Sequence, residues 1–278
     1  MPELPEVETN RRYLHKHING KTIASVELIN RGTVQGNVSE IVNETVTGLS
    51  RHGKVLSILT TNNIISIHLK MTGQLLYAED SAHAVFKFRI PLSGGNTMPA
   101  SSTRVIFHFT DGSALYFNDS RRFGWIKILN KPERPQSVDA LSSTFTEDYF
   151  INIFTGSSRP VKNVLLDQDK VAGIGNIYAN ESLYKAGIHP LRAVNTLTDD
   201  EKRRLYIAVL HVLHEGVKHQ GSSGKDESYL LPDGSRGGYQ KFFNVYQREG
   251  LPCLHCGATI KRETHSGRSN FYCPQCQK

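Results

Sequence analysis

Apolar and polar positions change rhythm three times along the chain. Over residues 3–17, Val7, Arg11 and Tyr13–Leu14 are spaced over successive turns, and Gly20 closes the stretch, so a helix is predicted there. From residue 21 to about 129 the period shortens. Residues 22–29, 55–60 and 64–71 are β-branched runs bounded by turn residues, and residues 104–109 and 114–117 alternate on either side of Asp111-Gly112, a hairpin signal. Short strands at near-regular spacing predict a β-sandwich, with the Gly/Ser/Pro-rich residues 93–102 as a loop inside it.

Residues 131–145 are polar and rich in Pro and Ser, the composition of a linker. Beyond them the period is helical. Thr146-Glu147-Asp148 reads as a helix start, residues 161–166 and 176–185 as two short helices, and Thr198-x-x-Glu201 as a capping box ahead of Leu205, Val209 and Val212. After Gly216 the chain is loop-like to Gly238. The pattern predicts a multi-domain α+β chain: a leading helix and β-sandwich over 1–130, a linker over 131–145, a helical domain over 146–238 and a terminal finger over 239–278.

Composition narrows the function classes. The chain has 278 residues, 38% hydrophobic and 21% charged, which is globular and not a disordered tail. It contains no run of 18 apolar residues, and Glu3, Glu6 and Glu8 stand where a signal peptide would be cationic, so a membrane partner is not expected. The net charge of +7 favours a polyanionic partner. Residues 241–278 hold six Lys/Arg against two Glu, more than half of that excess. All four cysteines lie in the last 26 residues, as Cys253-x2-Cys256 and Cys273-x2-Cys276 separated by 16 residues. This is the spacing of a four-cysteine zinc ribbon, and two disulfides are the competing reading.

The first residues carry candidate chemistry. Removal of Met1 would leave Pro2 as a secondary amine, with a terminal pKa of roughly 7.7–8.0 and hence far more free base at neutral pH than a lysine. Such amines attack electrophilic carbon and form Schiff bases, and the adjacent Glu3 is placed to exchange the proton. On these residues alone, a helix-start proline followed by first-turn acids is the plainer reading.

The rest of the chain reverses that preference. The opening Met-Pro-Glu-Leu-Pro-Glu-Val-Glu-Thr resembles the N-terminus of bacterial formamidopyrimidine-DNA glycosylases. So do Arg51-His52-Gly53-Lys54, residues 68–73 (His-Leu-Lys-Met-Thr-Gly) and residues 118–124 (Asn-Asp-Ser-Arg-Arg-Phe-Gly). Residues 165–181 resemble that family's helix–two-turns–helix element, and Gly267-Arg268-Ser269 with the last cysteines its zinc ribbon. Leu4 favours this branch over endonuclease VIII-type relatives, which typically carry Gly there.

The resemblance implies a base-excision-repair enzyme, glycosylase and AP lyase, that removes oxidised purines through a Schiff base on Pro2. It implies that Glu3 protonates the sugar ring oxygen, that Glu6 positions the amine (helix-terminus electrostatics being its competing reading), and that Lys54 binds the phosphate beside the lesion. Met71, Arg121 and Phe123 would fill the space a flipped nucleotide leaves. Met71 and Phe123 also read as ordinary core residues at strand ends. Asn176, Arg268 and, secondarily, Lys162 would contact phosphates. One structural zinc on Cys253, Cys256, Cys273 and Cys276 would hold the finger carrying Arg268. The implied partner is damaged double-stranded DNA, met by a monomer in the bacterial cytoplasm at the nucleoid. Residues 221–238 depart from the family's lesion-reading loop, which leaves lesion preference open. A zinc-ribbon protein that binds damage without cutting is the rival from another class, and Pro2 and Glu3 are the residues it would not need.

Overall fold

The computed structural model describes residues 1–86, 95–224 and 229–278, with Arg31 described by its backbone alone. Parts of two segments singled out above, 93–102 and 221–238, therefore lie outside the described residues. The chain forms two compact units, Met1–Arg134 with His219–Gln240, and Pro135–Lys218 with Lys241–Lys278.

The first unit opens with helix α1 (Leu4–Ile18), whose buried Leu4, Val7, Leu14 and Ile18 seat it on strands β3 (Val46–His52) and β4 (Val55–Thr60). Two sheets follow. One has the order β1 (Ile23–Leu28), β7 (Thr103–Phe109), β8 (Ala114–Asp119), β6 (Gly73–Ala78). The other runs β2 (Val34–Gln35), β9 (Trp125–Leu129), β5 (Ile64–His68), β4, β3. Side chains alternate across a strand, so Leu56, Ile58, Ile65, Ile67 and Ile126 from one sheet meet Leu75, Val105, Phe107, Leu115 and Phe117 from the other in a shared core. This is the β-sandwich the alternation predicts.

Strands β6 and β8 are buried at every position. Leu76, Ile106, Ala114 and Tyr116 on the outer face of their sheet are covered by Ala84, Phe86, Met98 and Ala100. The described part of the Gly/Ser/Pro-rich segment is thus a lid on a second core. The sequence-predicted strand over 64–71 ends earlier, at His68, where the chain turns through Lys70 at φ 51°.

The second unit contains α2 (Glu147–Asn152), α3 (Val161–Leu165), α4 (Asn176–Ala186) and the 20-residue α5 (Asp199–Lys218). The predicted box at the start of α5 is formed reciprocally: the Thr198 amide donates to Glu201 (2.8 Å) and the Glu201 amide to Thr198 Oγ1 (3.2 Å). Gly216 lets α5 approach α4, because a Cβ there would lie 2.5 Å from the Tyr178 ring. The segment read as a linker is partly structural. Within it, β10 (Val138–Asp139) pairs with β11 (Val171–Ala172), and Ala140 and Phe145 are buried. A hairpin, β12 (Lys261–His265) and β13 (Arg268–Tyr272), completes the unit around Val245, Ile260, Phe271 and two of the cysteines.

Candidate active site

In the first unit the candidate residues gather around the start of α1 and the ends of the sheet strands. Pro2 is buried, and Glu3 and Glu6 are 2% and 1% exposed. Glu6 accepts the Glu3 amide on Oε2 at 2.8 Å, one half of a capping box in which Glu3 is the N-cap. Its other oxygen, Oε1, accepts the Ser222 amide at 2.7 Å. The carboxylate therefore bridges the residue after Pro2 to a segment more than 200 positions away in sequence. Gly221 sits against it at φ 75°, and a Cβ at Gly221 would come within 2.8 Å of the Glu6 carboxyl, so no larger residue fits. The Tyr229 hydroxyl donates to the Glu6 carbonyl (3.3 Å). Burial and the Glu6 charge push this phenol well above its usual pKa, so it remains a donor.

The same segment is zipped to itself. The Gly237 amide donates to Ser223 Oγ (2.9 Å), the Ser223 amide to Gln240 (3.2 Å), and the Tyr239 amide to the Gly221 carbonyl (2.9 Å). Residues 221–238 thus begin and end on a hydrogen-bonded stem whose foot is Glu6.

Lys54 occupies the tip of the β3–β4 hairpin, after Gly53 at φ 55°. Its ammonium acts on His68, as does that of Lys70. Burial first, then these two charges, lower the His68 pKa to about 4. His68 Nδ1 accepts the Lys70 amide (2.9 Å), which leaves the ring proton on Nε2.

Met71, Arg121 and Phe123 are brought together by strand register. Gly73 on β6 pairs with Asp119 on β8, so Met71 and Arg121 extend from the same end of the pair. Buried Asp119 organises that end: its oxygens accept the Arg121 amide (3.1 Å), the Gly124 amide (2.7 Å) and the Thr72 hydroxyl. Arg122 is held at φ 59°. Met71 is 40% exposed and Phe123 54%, and the Arg121 guanidinium lies 4.8 Å over the Phe123 ring. The core alternative for Met71 and Phe123 is excluded, because both lie outside the strands and are exposed.

In the second unit Asn176 is the first residue of α4, after Gly175. Gln168 shapes the preceding turn by donating to the Leu166 and Ile174 carbonyls and accepting the Gly173 amide. The Asn176 Oδ1 is buried without a hydrogen-bond partner among the described residues. Arg268 is exposed at the end of the β12–β13 hairpin, beyond a two-residue turn in which Ser266 (φ 50°) and Gly267 (φ 74°) are both left-handed.

Lys162 departs from the expected exposed phosphate track. It is 1% exposed, and its ammonium donates to the Ser269 carbonyl (2.6 Å) and Asn270 Oδ1 (2.7 Å) on β13. Asn180 accepts the Phe271 amide (2.9 Å), and Glu181 accepts the amides of Asn244, Val245 and Tyr246. Buried polar groups of α3 and α4 thereby hold the finger from two sides. Neither Lys162 nor Glu181 announces this in sequence, since the groups each one bonds lie more than 60 positions away.

The four cysteine sulfurs lie within 4.8 Å of one another, with Cys253–Cys276 at 3.9 Å and Cys256–Cys273 at 3.4 Å. A tetrahedral zinc with bonds of about 2.3 Å sets its sulfurs about 3.8 Å apart, so the cluster fits this ion.

Residues 1–126 match the formamidopyrimidine-DNA glycosylase N-terminal domain, 137–228 the H2TH domain of the same enzymes, and 250–278 the zinc finger found in FPG and IleRS. A formamidopyrimidine-DNA glycosylase of Desulforamulus reducens is 38% identical over all of this chain and 99% of its own length. Among solved structures, the MutM (Fpg) protein of Thermus thermophilus is 36% identical with a TM-score of 0.87, covering 99% of this chain and 98% of that one. A Lactococcus lactis Fpg variant in complex with Fapy-dG-containing DNA is 30% identical, with a TM-score of 0.86 and full coverage of both chains. With the zinc-finger match, the four thiolates make one structural zinc site that has no open position for catalysis.

Proposed function

The chain belongs to the formamidopyrimidine-DNA glycosylase family, and from that premise we propose that it excises oxidised purines from double-stranded DNA and then cuts the strand, with Pro2 as nucleophile. The observation that carries this reading is the capped start of α1. There a buried carboxylate, Glu6, fixes the backbone amide of Glu3, and with it the position of Pro2.

After removal of Met1, the Pro2 nitrogen attacks C1′ of the extruded nucleotide. The bond from C1′ to the base breaks, its electron pair leaves with the base, and the amine loses its proton. Glu3 protonates the ring oxygen as the sugar opens to an iminium. The iminium acidifies C2′; loss of a C2′ proton expels the 3′ phosphate, and a second elimination expels the 5′ phosphate. Lys54 grips the phosphate beside the lesion as a point charge. Met71, Arg121 and Phe123 fill the vacated stack, the apolar pair wedging the step and the guanidinium meeting the orphaned base. Asn176 and Arg268 hold phosphates, and the zinc maintains the hairpin that carries Arg268. The protein acts as a monomer in the bacterial cytoplasm. No helix among the described residues is long and apolar enough to cross a membrane.

Borohydride trapping on an 8-oxoguanine duplex tests this. A covalent protein–DNA complex is expected, and it should vanish when Pro2 is acetylated or preceded by another residue. Tight binding with neither trapping nor nicking would establish a damage-binding protein instead, and trapping on oxidised pyrimidines alone would place the activity with endonuclease VIII-type relatives.

A further inference from the structure

Within the first unit, one guanidinium joins the helix that begins beside Pro2 to the hairpin that carries Lys54. The Arg51 Nε donates to Glu8 Oε2 on α1 at 3.2 Å, and its Nη1 donates to the carbonyl of Gly53 at 3.0 Å. Both side chains are nearly enclosed, at 8% and 9% exposure. Glu8 also accepts from Arg11 (2.9 and 2.8 Å) and Arg12 (2.8 Å). Gly53 is the left-handed residue of the two-residue turn, and Lys54 is its neighbour.

We propose that Glu8 and Arg51 are positioning residues for Lys54: they fix the hairpin tip relative to the nucleophile's helix. Apolar packing of α1 on β3 and β4 is non-directional, and it holds a hairpin tip least. A planar guanidinium with one donor on a helix carboxylate and another on the tip's own carbonyl supplies the missing direction. Glu8 lies five residues beyond Glu3 on the same helix, about 7.5 Å along the axis, so the brace is short and rigid. Burial raises the Glu8 pKa, but the hydrogen bonds from Arg11 and Arg12 and the charges of Arg11 and Arg51 outweigh it and hold the carboxyl at about 2. The brace therefore stays charged wherever the protein is folded near neutrality.

This inference rests on the reading of Lys54 as the phosphate grip. The test is a double-mutant cycle of Arg51→Met and Lys54→Ala, with single-turnover excision of 8-oxoguanine and thermal midpoint both measured on the full-length, zinc-loaded protein. A small misplacement of a phosphate grip costs about tenfold or more in rate, so each single variant should fall by at least that factor. The double variant should be no slower than Lys54→Ala, while the loss of thermal midpoint from Arg51→Met should be the same in both backgrounds. Arg51→Lys should not restore the rate, because a single ammonium cannot span both acceptors. Glu8→Gln, which keeps the volume, should show the same pattern more weakly and stands in if Arg51→Met does not fold. Rate losses that multiply in the double variant, or a lowered midpoint with an unchanged rate, overturn the proposal. An unchanged rate in Lys54→Ala alone overturns the reading of Lys54 and the inference with it.

Discussion

At Glu6 the demand is for a group that only accepts. Both of its oxygens receive backbone N–H donors, from Glu3 and Ser222. Glutamine offers one acceptor and one donor, so Glu6→Gln must face its NH2 toward an amide. We expect it to cost about 1–3 kcal/mol of stability, read by chemical denaturation, together with most of the excision rate. His68 gives a second prediction. Its folded pKa, lowered to about 4 chiefly by burial, lies below the ordinary imidazole value of about 6.5. Stability from keeping it neutral is complete above about 6.5 and declines as pH falls toward 4, because the unfolded chain takes up a proton that the folded one refuses. Ring NMR shifts should show a neutral Nε2–H tautomer at pH 5.5. The residues themselves were readable to different degrees. Cysteine spacing disclosed its metal because thiolate geometry is local, whereas Phe123 read equally as a core residue, because nothing local to a strand end says which way an aromatic ring turns. The burial of Lys162 was not legible, because its acceptors lie over 100 positions away.

Among elements, the finger's placement depends on more than its metal. Lys162, Asn180 and Glu181 satisfy backbone groups of residues 244–246, 269 and 271, which are buried or partly buried. Lys162→Met keeps the unbranched stem, one atom shorter, and removes the donors. It should weaken DNA binding several-fold while zinc content, measured by metal analysis, stays at one per chain. Cys273→Ser should lose both zinc and affinity, yet leave the near-UV signature of the sandwich core intact. The sandwich itself was legible wherever one face met solvent and the pattern alternated. It was obscured at β6, where burial on both faces erases the alternation and leaves Gly-Gln-Leu-Leu-Tyr-Ala without a period. The edge of β5 was placed late because Leu69 continues the apolar run past the turn.

On the scale of the whole molecule, the +7 charge and the proposed phosphate contacts lead us to expect electrolyte-dependent DNA binding. A plot of log K against log salt for an abasic-site duplex should be linear and steep, and Arg268→Ala should reduce its slope by about one. The division of the chain has a different consequence. His219–Gln240 folds with the N-terminal unit, although helical and finger segments precede and follow it. A protein truncated near residue 134 would retain both sheets and every residue assigned to the chemistry. It would lack the peptide whose Ser222 amide meets Glu6, and a buried carboxylate would be left half-solvated beside Pro2. We therefore expect the N-terminal fragment alone to lack excision, read as product formed on an 8-oxoguanine duplex. Fragment complementation with a 219–240 peptide, or an internal deletion that joins residue 134 directly to residue 219, is the smallest redesign in which the chemistry could survive separation from the finger.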